Sequence, residues 1–255
     1  MAQEGLRLDG DDVEVALSVI IPCRNGARYL GAAIESVLAQ PLDEVEIVVV
    51  NDGSVDDSAA VARGCGPRVR VIDLPPSGLP AARQRGINEA RAQTLAFCDA
   101  DDLWAADRLP GQLEFMRRES SGVCLGFSKS FLSPELKWAW DASAEGEANY
   151  WRTFGALLID RKVLESAGTL PQNGSDIHIP LFAALQDKGV PVARYNKVVS
   201  FRRVHLDNDS RRNGPRFGDY ARSIKGVLDR RRQDAAKAQE EADSASTTAI
   251  IHPRF

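Results

Sequence analysis

The stretch Phe97-Cys98-Asp99-Ala100-Asp101-Asp102 decides how this chain is read. The apolar run Leu95-Ala96-Phe97-Cys98 ends in three carboxylates within four residues. A short apolar run of this kind predicts a buried strand. An unpaired carboxylate is costly to bury, so the acids belong where the strand leaves the core. Carboxylates gathered at a strand exit suit a hard divalent cation held beside a polyphosphate. In an open α/β sheet the same edge is where ligands dock.

Working outward, the pattern repeats. Leu17-Ser18-Val19-Ile20-Ile21 predicts a first strand, stopped by Pro22 and followed by Cys23-Arg24-Asn25. From Gly26 to Gln40, the residues Leu30, Ala33, Ile34, Val37 and Leu38 share one helical face. Val45 to Val50 predicts a second strand, ending in Asn51-Asp52-Gly53-Ser54. Ser54 suits the cap of the next helix, with Asp56 and Asp57 favourable in its first turn. Val69 to Leu74 predicts a third strand, and Pro80 suits the first turn of a helix running to about Ala92. Strand alternating with helix from residue 17 to about 118 implies parallel strands with crossover helices.

Beyond that, short strands are expected at 123–127, 153–160 and 197–201, with helices at 162–167 and 177–188. Residues 133–150 read as a loop or small subdomain. Residues 211–240 are helix-prone and Arg-rich, and 244–248 read as a frayed tail. The expected division is a loose leader at 1–15, a domain at 16–210 with halves at 16–118 and 119–210, and a C-terminal helix and tail at 211–255.

The bulk numbers exclude several classes. In 255 residues, 27% are charged and 44% hydrophobic, and the net charge is −4. That balance argues against nucleic acid as the partner. No apolar run approaches a bilayer span and the first residues lack a signal-peptide pattern, so a cytoplasmic location is expected, with the inner face of the membrane as an alternative. Cys23, Cys65, Cys98 and Cys124 form no C-x-x-C pair, and small buried thiols are expected.

Taken alone, Asn51-Asp52-Gly53-Ser54 is turn chemistry. Likewise Asp102 or Asp107 alone reads as a cap for a helix starting near Arg108. Together, the three polar strand exits favour a nucleotide pocket. Here the residues carry a resemblance. The order S-V-I-I-P, V-V-V-N-D-G-S-x-D-x-S, A-R-x-x-G-I and F-C-D-A-D-D closely resembles the family 2 glycosyltransferases of the GT-A fold. It runs from Leu17 to about Leu109, and more weakly through Phe154–Leu164 to Phe201-Arg202-Arg203-Val204-His205.

The resemblance implies an α/β fold of GT-A type: a Rossmann-like, mostly parallel central sheet flanked by helices, with a small acceptor-side portion. It implies that Asp52 meets the base or ribose, with Pro22 and Arg24 lining that subsite. Arg83 would reach the base or phosphates. Asp99 would contact the ribose or the metal's water shell, with Ala100 beside it, and Asp101 would ligate Mn²⁺ or Mg²⁺. His205 would touch the metal or the diphosphate; alone it would read as a surface histidine. Arg202 and Arg203 could hold phosphate or pair with acids. The catalytic base would be Asp176, although Ser175 stands where the family carries Glu, and Asp176 alone reads as a helix cap. Gln84, where the family often carries Asn, is expected to matter little. Trp104, Trp138, Trp140 and Trp151 could stack sugars, but core packing is at least as good a reading.

The implied activity is inverting transfer of a sugar from a nucleoside diphosphate sugar, with UDP expected, to a carbohydrate, lipid-linked or small-molecule acceptor. Peripheral membrane contact and a homodimer stay open for the Arg-rich end. Two alternatives are a nucleotidyltransferase that makes nucleotide sugars and a non-catalytic sugar-nucleotide binder.

Overall fold

The computed structural model describes residues 15–136, 154–168, 178–208 and 224–237. Among these residues, eight strands form a single mixed sheet in the order β3-β2-β1-β4-β7-β6-β8-β5. The first half is parallel: β1 (Leu17–Cys23) lies between β2 (Val45–Asp52) and β4 (Thr94–Phe97), and β2 carries β3 (Val69–Leu74) on its outer side. Every residue of β1 and β2 is buried, which is why both read as unbroken apolar runs rather than alternating ones.

Pro22 does not stop β1, contrary to expectation; it pairs in register with Val50. The Ile20 carbonyl faces β4, where it accepts the Cys98 N–H. Two residues on, Pro22 presents its missing N–H to the same side, beyond the last β1–β4 pair at Ile20 and Phe97. The ladder therefore loses nothing there.

Helix α1 (Ala27–Leu38) buries Leu30, Ala33, Ile34 and Val37, the face its periodicity marks. Helix α2 (Ser58–Gly64) follows β2, and α3 (Leu79–Glu89) carries Pro80 in its first turn. Ser54 does not cap α2. Its hydroxyl accepts the Asn25 N–H, while Asp56 Oδ1 accepts the Ser58 N–H. The C-terminal end of α3 is closed from a distance: the Arg161 guanidinium donates to the carbonyls of Ile87, Ala90 and Ala92.

In the second half, β4 pairs antiparallel with β7 (Leu157–Asp160), and β7 antiparallel with β6 (Val123–Leu132). Strand β8 (Ala193–Val204) runs parallel to β6 and antiparallel to the two-residue β5 (Leu103–Trp104). Both β6 and β8 are longer than their apolar runs predict, because their outer ends pair with each other. Helices α4 (Arg108–Arg118), α5 (Arg161–Ser166) and α6 (His178–Asp187) complete this half. Residues 224–237 form α7, whose Arg231 donates to Asp187 at the end of α6 (2.9 Å).

Arg108, 1% exposed, fastens α4 to the sheet. Its guanidinium donates to the Gly155 and Leu157 carbonyls and lies 3.9 Å from the Trp104 ring centroid. Burial lowers its pKa to about 9. Trp104 is thus a core residue, its indole N–H donating to the Phe97 carbonyl. Trp138, Trp140 and Trp151 lie outside the described residues. Among the described residues no helix is long and apolar enough to cross a membrane.

Candidate active site

Strands β1, β2 and β4 are parallel, so their polar exits open at one edge of the sheet. Asn25 adopts φ +53°, a left-handed conformation that Asn tolerates. Its Oδ1 accepts the Val55 N–H, and the Gly26 and Ala27 N–H groups donate to Ser58 Oγ and Asp56 Oδ2. The β1 and β2 exits are therefore laced into one surface. Arg24 stands exposed on it, and Pro22 is buried beneath.

Asp52 is 3% exposed. Its Oδ1 accepts the Ser77 N–H (2.6 Å) and its Oδ2 the Gly78 N–H (2.9 Å). Next to it, Gly53 has φ +64°, and a Cβ there would lie 2.6 Å from the Pro76 ring. Asp52 thus acts first on the loop that leads into α3. From α3, the buried Arg83 donates through Nη2 to Asp99 Oδ1 (2.8 Å) and lies 5.0 Å from the Phe154 ring centroid. Its Nε is buried and has no hydrogen-bond partner among the described residues. Ala100 is half-buried between the two acids.

The acids leaving β4 do three different things. Asp99 pairs with Arg83. Asp102 is buried, and its Oδ1 accepts the Arg203 N–H (2.9 Å), tying the β4 exit to the end of β8. Burial, with the Asp101 and Asp99 charges adding to it, pushes the Asp102 carboxyl well above the usual range. Asp101 faces His205: Oδ2 stands 2.9 Å from Nε2. The Asp207 N–H donates to His205 Nδ1 (3.2 Å), which assigns the ring proton to Nε2 and makes Asp101 the acceptor.

His205 is buried rather than on the surface, with the Tyr29 ring 4.5 Å from its own. Tyr29 in turn donates to Glu135. Hydrogen bonds from the Ser133 hydroxyl first, then from its own backbone and Tyr29, lower the Glu135 pKa to about 2. Arg203 lies over the Tyr29 and Phe131 rings and donates through Nε to the Asp101 carbonyl.

Among the described residues no group of three or more His, Cys, Asp or Glu could enclose a metal. Asp101 and His205 offer only a partial set. That suits Mg²⁺ or Mn²⁺, which need only one or two protein ligands when phosphates and water supply the rest. Asp176 lies outside the described residues.

The model for glycosyl transferase family 2 matches residues 18–170. The chain belongs to this family. Among its relatives, an uncharacterized glycosyltransferase of Rickettsia felis is 38% identical over 109 residues, covering 42% of this chain and 18% of its own. The putative glycosyltransferase EpsH of Bacillus subtilis is 33% identical over 119 residues, covering 46% and 35%. The chain spans roughly a third or less of the length of the curated relatives it matches. The fold is that of GT-A enzymes. S. aureus TarS (residues 1–349, with UDP-GlcNAc) superposes with TM-score 0.60 at 18% identity, over 76% of this chain and 60% of that one. The mannosyltransferase PcManGT of Pyrobaculum calidifontis, in complex with GDP-Man and Mn2+, gives 0.57 at 21% identity, over 75% and 58%.

Within this family 2 chain, sequence reasoning missed three contributors: Tyr29 beneath His205, Asp102 as a tie to β8, and Asn208. Buried at 5% exposure, Asn208 donates to both Asp101 Oδ2 and the Arg203 carbonyl. Its only sequence signal is a position three residues after His205, in a segment that reads as an ordinary turn.

Proposed function

We propose that this chain transfers a sugar from a nucleoside diphosphate sugar, with UDP the expected nucleotide, to a hydroxyl of a carbohydrate, lipid-linked or small-molecule acceptor. The observation that carries this reading is the double pairing at the β4 exit: Asp99 with Arg83 at 2.8 Å and Asp101 with His205 at 2.9 Å. It sets two acids at the end of β4, one held by the Arg83 guanidinium and the other by the His205 ring. The donors in the related structures support it: UDP-GlcNAc in TarS, and GDP-Man with Mn²⁺ in PcManGT.

In this reading Pro22, Arg24 and Asp52 border the nucleoside, Asp52 acting through loop 75–78. The unpartnered Arg83 Nε suits an anionic or carbonyl oxygen of the donor, because a buried donor left unpaired costs about 1–3 kcal/mol. Ala100 and Asp99 lie toward the ribose. Asp101 would hold Mn²⁺ or Mg²⁺, with Asp99 and His205 beside it. Such an ion supplies positive charge for the departing diphosphate. Asp176 takes the proton of the acceptor hydroxyl as that oxygen attacks the anomeric carbon. The bond to the diphosphate oxygen breaks on the opposite face, so configuration inverts.

A thermal-shift panel of UDP-, GDP- and dTDP-sugars, with and without Mn²⁺, tests this. One donor should raise the melting point in a metal-dependent way. Asp101→Ala should remove the metal-dependent part, and Asp176→Asn should keep donor binding while abolishing transfer. Equal loss of binding in both variants would refute these roles. Pyrophosphate release from a sugar phosphate and an NTP would instead identify a nucleotidyltransferase.

A further inference from the structure

We propose that Asn208 is a positioning residue of the cation site, holding Asp101 so that Oδ1 alone is offered to the ion. This rests on the reading of Asp101 as the metal-holding residue.

Asp101 Oδ2 receives two donors, His205 Nε2–H at 2.9 Å and Asn208 Nδ2–H at 3.2 Å. No hydrogen bond reaches Oδ1 from the described residues. The carboxylate is therefore fixed at one oxygen and open at the other, and the side chain keeps 34% exposure. Asn208 is itself held rigidly. Its Oδ1 accepts the His205 N–H (2.6 Å), and its second amide proton goes to the Arg203 carbonyl (3.1 Å). One amide thus closes the turn after β8, sets the His205 backbone and aims the Asp101 carboxylate. An amide suits this place. It supplies the two donors and one acceptor required without adding charge, and an aspartate could not donate to Oδ2. Groups that orient a metal-holding carboxylate typically change metal affinity ten- to a hundredfold when removed, on the order of one to two decades.

The test is Mn²⁺ binding to the full chain, followed by the electron paramagnetic resonance signal of free Mn²⁺, with no nucleotide present. Asn208→Ala should bind about tenfold more weakly than wild type. Asn208→Asp loses the same two donors but sets a new negative charge beside the ion, and should bind more tightly than wild type. A purely structural role would weaken both variants, in step with their melting points. Wild-type affinity in Asn208→Ala, or equal loss in both variants, overturns the proposal while leaving the role of Asp101 standing. Mn²⁺ binding that survives Asp101→Ala, or none in wild type, overturns the metal reading and this inference with it.

Discussion

Replacing Gly86 with alanine should destabilise the protein, although alanine is the better helix former. A Cβ at Gly86 would lie 2.4 Å from Ile20 Cγ2 and 3.2 Å from Val50 Cγ2. Carbon atoms rest about 3.5–4.0 Å apart, so α3 must retreat by roughly 1 Å. Neither neighbour can yield, because Ile20 and Val50 are fully buried and β-branched side chains are stiff. Overpacking of this kind costs about 1–3 kcal/mol, and the stiff contact argues for the upper end. Against this stands about 1 kcal/mol gained from helix propensity. The net loss of about 2 kcal/mol corresponds to a melting point lower by roughly 4–8 °C. The retreat also carries Arg83, one turn earlier, away from its 2.8 Å bond to Asp99. Gly64→Ala is the matched control, since a Cβ there meets nothing within 4 Å. It should hold or raise the melting point. Thermal denaturation of the two variants decides the matter, and a Gly86→Ala protein that melts at or above wild type refutes the packing argument.

Three further outcomes are expected. Arg108→Met strips the Gly155 and Leu157 carbonyls of their donors but also relieves a buried charge; urea denaturation should show a net loss of about 2–4 kcal/mol. Burial raises the Cys124 pKa to about 11 from an ordinary 9.0. The unfolded thiol ionises first, so the unfolded state holds fewer protons in that window and stability falls as pH rises through it. The loss is on the order of 2 kcal/mol, and Cys124→Ala should flatten that part of a stability-versus-pH curve. Asp52→Asn turns an amide donor toward one of the Ser77 and Gly78 N–H groups; hydrogen exchange at Ser77 and Gly78 should rise, with the far side of the sheet unchanged.

The parallel half of the sheet was legible because its signals are local. Apolar runs ended by polar clusters mark β1, β2 and β4, and a strand–helix alternation leaves few ways to connect them. The buried face of α1 followed from its period alone. Pro22 misled because a proline's effect depends on which neighbour its missing N–H faces, and that is set by where β4 ends. Strand β5 and the outer ends of β6 and β8 carry no apolar run of their own and exist through pairing.

The site divides along the same line. The residue types at the strand exits, and their shared edge, are written in the sequence, as is the resemblance that pointed to family 2. What each acid touches is not. Asp101 meets His205 and Asn208 across 104 and 107 residues, and Arg83 meets Asp99 only once α3 has docked on β1 and β2. Hydrogen bonds between side chains so far apart leave no periodic trace along the chain. Only the folded sheet, which brings the end of β8 beside the end of β4, turns three aspartates within four residues into an ion-pair partner, an open carboxylate and a buried strut.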